Sequence, residues 1–443
     1  MGTGRYQPDI HHLRQESDAT MTNLHRHAPL RVALVGLGTV GGGVIRLLNT
    51  NGDLIARRAG CPIQIVAISA RDRNKDRGVD LSPYEWVDDM NCLATRDDVD
   101  VVVELIGGCL IAGKPFVTAN KAMLAHHGLD LARLAEKGGI ALKYEAAVAG
   151  GIPVIKGMRE GAAANEIARV YGILNGTCNY ILTTMEKEGR GFDEVLKEAQ
   201  DLGYAEADPG VDIDGVDAAH KLTILASLAF GTELDFDAVA TTGIRHVIAA
   251  DIAEAAALGF RIRLVGIAQN GADGLFQRVH PMLVSLDHPL AHVDGSLNAV
   301  VAEGNFVGRL FFQGRGAGDG PTASAVVADL IDVARDEYGD AFAMPVAALT
   351  PQNTADAGAR IGRTYLRFMV KDRPGVLAEI AAATRDAGVS IESMIQRGAH
   401  QDDGVLVAIV THAGEERCIR DTLERLAGSD SLLGTPMVMH ILD

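Results

Sequence analysis

The residues best equipped for chemistry lie in EADPGVDIDGVDAAHK, Glu206 to Lys221, where carboxylates and one lysine crowd the start of an apolar run. Asp217 and Lys221 stand four apart, so a helix projects both from one face, one turn apart. A carboxylate and an ammonium placed this way can meet one substrate; the alternative is an ordinary solvated Asp–Lys pair. Asp212 or Asp214 is expected to cap this helix, with KLTILASLAF as its buried body. A second lysine, Lys121, follows the strand in KPFVTANKAML, at the carboxyl edge where open α/β sheets bind their ligands. A cation near a helix N-terminus is electrostatically disfavoured, which points to an anionic ligand. A lysine on a solvated loop is the alternative.

These groups need a scaffold, and its first piece is LRVALVGLGTVGGGVIRLL, read as buried strand, glycine turn and helix. Gly36, Gly38 and Gly41 fall in GxGxxG spacing. The first allows a tight turn, the second lets a pyrophosphate approach the backbone, and the third lets helix and strand pack. Dinucleotide binding is expected, with the helix N-terminal amides on the phosphates; the alternative is a glycine-rich turn in an ordinary α/β unit. The next strand, IQIVAISA, is trailed by Arg71, Asp72, Arg73 and Lys75. A basic cluster there suits a 2′-phosphate and favours NADP, while Asp72 two residues past the strand keeps NAD open. VDVVVELIGG and KPFVTANKAML continue the short Val/Ile-rich strands of a parallel sheet. In KYEAAVAGGIPVI, Glu145 with the carbonyls of the glycine turn is a candidate cage for a hard monovalent cation, or a turn cap.

Composition bounds the reading. The chain has 443 residues and a formal net charge of -17, enough for two or three domains and without a basic face for nucleic acid. Five widely spaced cysteines with no CxxC pair suggest neither a disulfide framework nor a zinc site, and a reducing cytoplasm fits. No apolar run reaches the roughly 20 residues needed to span a bilayer. Residues 1–29 read as a polar, His-rich disordered extension, with Met21 as a candidate natural start. His126 and His127, before Gly128, are expected at a solvated helix-to-loop position, and Cys178 as a packing residue.

Beyond Ala343 the chain changes character, and residues 344–363 read as a linker. From Thr364 to Asp443 the elements run βαββαβ, the ferredoxin-like order. The turn DRPGVLAEI, with Asp372, Pro374 and Gly375, resembles that of ACT domains, which bind amino acids. The expected fold class is α/β: a Rossmann domain over 30–155, a central α+β catalytic and dimerisation domain over 156–343, and a ferredoxin-like ACT domain over 364–443. Residues 314–343 are expected to pack back on the Rossmann domain.

Together these residues resemble homoserine dehydrogenases from Arg31 to the end. The family pattern is met by Ala199, Gly203, Tyr204, Asp208, Pro209, Asp212, Ile213, Gly215, Asp217 and Lys221. TANK at 118–121, LNGTCNYIL at 174–182 and GRGAGDGPTASAV at 314–326 also match. The resemblance implies NADPH- or NADH-dependent reduction of L-aspartate 4-semialdehyde to L-homoserine, on the route to threonine, isoleucine and methionine. It makes Lys221 the proton donor and Lys121 its helper. Glu206 and Asp217 become substrate anchors, and Gly203 lines both the substrate and cofactor sites. Gly36, Leu37, Gly38, Thr39, Val40, Gly41, Arg71, Thr118, Lys121 and Gly318 become cofactor contacts. By the same analogy Glu145, Val148, Gly150 and Ile152 hold sodium or potassium, L-threonine is the ACT effector, and the assembly is a homodimer or homotetramer.

One departure stands out. A parallel crossover normally takes a dozen or more residues, yet only Gly107 to Lys114 are left between the two expected strands. Two rivals follow. One is a catalytically impaired or non-enzymatic amino-acid sensor working through its ACT module. The other is a hydroxyacid dehydrogenase, against which the 203–221 constellation speaks.

Overall fold

The computed structural model describes residues 28–106, 113–400 and 404–442. The expected extension and Met21 therefore lie outside the described residues, apart from the last two positions of the extension. The N-terminal sheet is parallel in order β3-β2-β1-β4-β5-β6, with β1 Leu30–Val35, β2 Ile63–Ser69, β3 Glu85–Trp86, β4 Val101–Glu104, β5 Phe116–Thr118 and β6 Leu142–Lys143. Helix α1 (Thr39–Ala59) follows the glycine turn, α2 (Met90–Leu93) precedes β4, and α3 (Lys121–Gly138) follows β5. Strand β4 pairs with β5 in parallel, Val103 opposite Val117, although only residues 105–115 connect them. Most of the short crossover, residues 107–112, falls outside the described residues.

After a short turn of α-helix at Val154–Lys156 (α4), strand β7 (Ile167–Ile173) opens a second, larger sheet. Helices α5 (Gly176–Glu188), α6 (Phe192–Asp201), α7 (Gly210–Ile213), α8 (Val216–Phe230) and α9 (Ala249–Ala257) accompany it. The hairpins β9 (Phe260–Gly271)–β10 (Gly274–Ser285) and β11 (Leu297–Gly304)–β12 (Gly308–Arg315) flank β7, with every pairing among these strands antiparallel, and β8 (Ala240–Thr241) pairs with β10. One face of this sheet shares a core with α5, α8 and α9, where Leu222, Ile224 and Leu225 of α8 are fully buried. Helix α10 (Asp319–Ala334) buries Ala323, Val326, Leu330 and Val333 in the same cluster as Val32 and Val44 of the N-terminal sheet and α1.

The C-terminal elements are β14 (Thr364–Val370), α11 (Val376–Asp386), β15 (Ile391–His400), β16 (Gly404–Thr411), α12 (Glu416–Leu426) and β18 (Met437–Leu442); β13 (Ile361–Gly362) and β17 (Gly414–Glu415) form a separate two-stranded pair. The order β18-β14-β16-β15 is ferredoxin-like. These strands continue the large sheet: β18 pairs in parallel with β10, Met282 opposite His440 and Val284 opposite Leu442. Pairing with β18 covers an edge of β10 whose PMLV stretch is buried, and an apolar edge left open would recruit other chains. The linker residues are pinned to the central region by bridges Thr232–Thr350 and Leu275–Thr354.

Two local expectations are corrected. Neither Asp212 nor Asp214 caps α8: the chain makes the extra helix α7, and Gly215, at φ 88, starts α8 without a side-chain cap. Asp212 instead accepts from Asn175, and Asp214 pairs with Arg245. His126 and His127 lie inside α3, which runs on to Gly138. Gly128 serves packing there, since a Cβ would come within 2.7 Å of Leu234 and 3.2 Å of Phe342.

Candidate active site

The carboxyl ends of the N-terminal strands and the start of α8 face each other, and the lysines meet between them. Helix α3 begins at Lys121, and the preceding Asn120 caps the helix by accepting from Met123 N. Lys121 Nζ reaches across to Asp217 Oδ1 at 3.2 Å. On α8, Lys221 Nζ donates to Asp217 Oδ2 at 2.6 Å and to the Leu174 carbonyl at 2.7 Å. Asp217 and Lys221 are 6% and 8% exposed, so the solvated-pair alternative does not describe them.

Asn175 completes the group. Its Oδ1 caps α5 by accepting from Cys178 N, while Nδ2 donates to Asp217 Oδ2 at 2.8 Å and to Asp212 Oδ1 at 2.7 Å. Burial pushes the Asp217 carboxylate up, but Lys221, Lys121 and Asn175 outweigh it and hold the group well below the usual carboxylate range. Asp217 is thus an anion between two cations. Asp212 goes the other way: burial raises it against the Asn175 bond. Cys178 is fully buried and its thiol raised by burial, an inert neighbour rather than a nucleophile.

An ammonium has three donors. Lys221 spends two, and Lys121 spends one on Asp217; among the described residues the others have no partner. Three N–H bonds, one on Lys221 and two on Lys121, are therefore uncommitted. Behind them His220 Nε2 lies 3.3 Å from His126 Nε2, and burial with the nearby His126 and Lys121 lowers His220 to about 4, so it is neutral at pH 7.

The glycine turn has the geometry of a phosphate cradle. Gly36 takes φ 100, and a Cβ at Gly41 would collide with the Gly36 carbonyl, whereas a Cβ at Gly38 would meet nothing within 4 Å. Leu37 is buried and its carbonyl accepts from Arg77 Nε at 2.9 Å. Thr39 and Val40 form the first turn of α1. Arg71 is exposed past β2, while Arg73 and Arg77 lie 5.8 and 5.6 Å from the Trp86 ring centroid. At the carboxyl end of β5 Thr118 is fully buried and donates to Glu104 Oε2 at 2.8 Å. Gly318, at φ 115, precedes α10. Gly41→Ala is expected to weaken dinucleotide binding at least roughly tenfold through overpacking of the cradle; unchanged NADPH affinity in a fluorescence titration would contradict this reading.

Not every expected residue joins the cluster. Gly203 (φ 77) and Glu206 lie on the exposed 201–208 stretch, and the Glu206 side chain is open to solvent. Sequence reasoning gave no site role to Asn175 or Glu104, and it read Asp212 as a helix cap rather than as a partner of Asn175. Asn175 carried a signal, an Asn at the start of a helical run, but its two carboxylate partners are 37 and 42 residues away. Glu145 is buried in a single turn of 3-10 helix; its carboxylate accepts from Ile155 N at 3.0 Å and Lys156 N at 2.9 Å. Among the described residues no three His, Cys, Asp or Glu side chains gather as a metal site, and no helix is long and apolar enough to cross a membrane. Cys61, Cys92, Cys178 and Cys418 are free.

A dinucleotide cradle in the same domain as Lys121, which meets the buried Asp217–Lys221 pair, defines a nucleotide-dependent oxidoreductase. The homoserine dehydrogenase profile matches residues 153–331, the NAD-binding domain of the same enzymes matches 36–145, and the ACT domain matches 364–428. The chain belongs to the homoserine dehydrogenase family. It is 45% identical to the Pseudomonas aeruginosa homoserine dehydrogenase over 92% of this chain and 97% of that one. A solved homoserine dehydrogenase from Thiobacillus denitrificans superposes with a TM-score of 0.87 at 40% identity, covering 94% of this chain and 99% of that one. A hyperthermophilic archaeal homoserine dehydrogenase in complex with NADPH has a TM-score of 0.58 at 26% identity, over 69% of this chain and 97% of that one.

Proposed function

We propose that the protein interconverts L-aspartate 4-semialdehyde and L-homoserine with NADPH as the preferred cofactor. The observation that carries this reading is Asp217 held between Lys121 at the start of α3 and Lys221 on α8. When bound, the dinucleotide supplies hydride; Gly36, Leu37, Gly38, Thr39, Val40 and Gly41 would hold its phosphates, and Thr118, Gly203 and Gly318 its reactive end. Hydride addition to an aldehyde leaves charge on oxygen, and the free N–H bonds of the two lysines stabilise it, with Lys221 donating the proton. Asp217 fixes both ammoniums, and Glu206 with Asp217 anchors the polar ends of the substrate. Arg71, Arg73 and Arg77 support the 2′-phosphate preference. A comparison of L-homoserine with 4-hydroxybutanoate tests the substrate: the analogue, lacking the ammonium, is expected to lose turnover, and equal kcat/KM would contradict the anchor role.

A monovalent cation is part of the same reading. The Val148 and Gly150 carbonyls accept no hydrogen bond among the described residues, and Ala149 and Gly150 both take positive φ, 55 and 48. The Ile152 carbonyl accepts one bond, from Val154 N at 2.7 Å, and each Glu145 oxygen accepts one backbone amide, so all four keep lone pairs for a cation and Val148 and Gly150 are the least committed. A second copy of the chain is the proposed partner, since the edge hairpin β11–β12 leaves Phe306 90% exposed beside Val307 and Phe311.

L-threonine is the proposed effector. Asp372, Pro374 and Gly375 line a cavity of about 210 Å³ at the start of α11. Contacts link this domain to the α7 segment that precedes Asp217. Arg367 of β14 donates to Asp251 at 2.7 Å and to the His246 carbonyl at 3.4 Å; Arg245 pairs with Asp214, and Ile244 N donates to the Ile213 carbonyl at 2.9 Å. Arg367→Met is expected to keep turnover without threonine and to lose most of the inhibition; intact inhibition would contradict the route.

A further inference from the structure

We propose that Asn298 is a positioning residue for Lys221, acting through the main-chain carbonyl of Leu174 that the two side chains share. Asn298 lies on β11, opposite Gly314 of β12, and is 1% exposed. Its Nδ2 donates to Leu174 O at 2.8 Å, the oxygen that also accepts from Lys221 Nζ at 2.7 Å. Only the nitrogen of the amide can serve an acceptor, so this bond fixes the orientation of the group and leaves Oδ1 buried without a partner among the described residues. A position chosen for burial alone would not keep an unpaired carbonyl.

Two glycines hold the amide in place. A Cβ at Gly316 would collide with Asn298 Cγ, and a Cβ at Gly176 would come within 3.3 Å of Oδ1. Gly316 belongs to the GRGAGDG loop that leads to Gly318, and Gly176 opens α5 beside Asn175. Asn298 thus ties three pieces together: the loop proposed to face the cofactor, the segment carrying Asn175, and the lysine proposed to protonate the product oxygen. Two donors on one carbonyl oxygen fix its direction, and with it the direction of the remaining Lys221 N–H.

This inference rests on the assignment of Lys221 as proton donor, and a double-mutant cycle separates the two. Asn298→Asp keeps the shape and removes the donor; Asn298→Ala removes both. Each is expected to lower kcat for L-homoserine oxidation roughly 10- to 100-fold, with NADPH affinity changed less than about threefold. In the Lys221→Ala background Asn298→Asp is expected to cost nothing further. Gly316→Ala, which displaces the amide without altering it, is expected to reproduce the kcat loss and serves if the Asn298 variants fail to fold. Near-normal kcat in Asn298→Asp or in Gly316→Ala, an equal loss with and without Lys221, or a loss confined to NADPH affinity would overturn the proposal. A Lys221→Ala enzyme of normal turnover would instead remove the donor assignment on which it stands.

Discussion

Lys221→Ala is expected to lower turnover by roughly 10²- to 10⁴-fold while NADPH affinity stays close to that of the parent protein. The side chain is buried, bonded to Asp217 and the Leu174 carbonyl, and keeps one N–H for an incoming oxygen. Alanine removes that donor and also a cation that stabilises the developing alkoxide. The glycine cradle lies on another element and should not respond. Lys121 remains in the variant and pairs with Asp217, so the residual rate reports what electrostatic stabilisation alone supplies. Steady-state kinetics beside a fluorescence titration checks both halves, and a turnover within a few-fold of the parent would exclude Lys221 as the donor.

Asp217→Asn is expected to damage both activity and stability. It leaves Lys121 and Lys221 close together without their shared counter-charge, and breaking a buried pair of this kind costs about 3–5 kcal/mol. Because the folded-state carboxylate is held below its ordinary range, its contribution is present above the unfolded-state value of about 3.9 and is lost as pH falls below it. Denaturant unfolding should therefore separate parent and variant by a constant margin from neutral pH down to about pH 4. The margin should shrink at lower pH. A variant as stable as the parent at pH 7 would contradict the description of Asp217 as the hub of the site.

The sequence made the chemistry visible where it depends on local periodicity. The four-residue spacing of Asp217 and Lys221 on an apolar run, and Lys121 just past a strand, were enough to nominate the group. Caps were harder to read. The same cluster of aspartates that suggested an N-cap serves instead to bind Asn175 and Arg245, because Gly215 allows the chain to turn and start α8 without help. His126 sits well inside α3 since Gly128, a helix breaker by composition, is there to admit Leu234 and Phe342. Asn175, Asn298 and the fusion of β18 to β10 depend on partners far along the chain, for which no local pattern exists. The short crossover is the reverse case: legible as a departure, yet β4 and β5 remain parallel neighbours in an unbroken sheet order.

The most direct test of the whole account is NADP⁺ reduction by the full-length protein with L-homoserine as substrate. The account predicts steady turnover that depends on L-homoserine and falls at least roughly 100-fold in Lys221→Ala. A folded protein that binds NADPH tightly but turns over no L-homoserine would contradict it, and would separate the nucleotide cradle from the chemistry assigned to Lys121, Asp217 and Lys221.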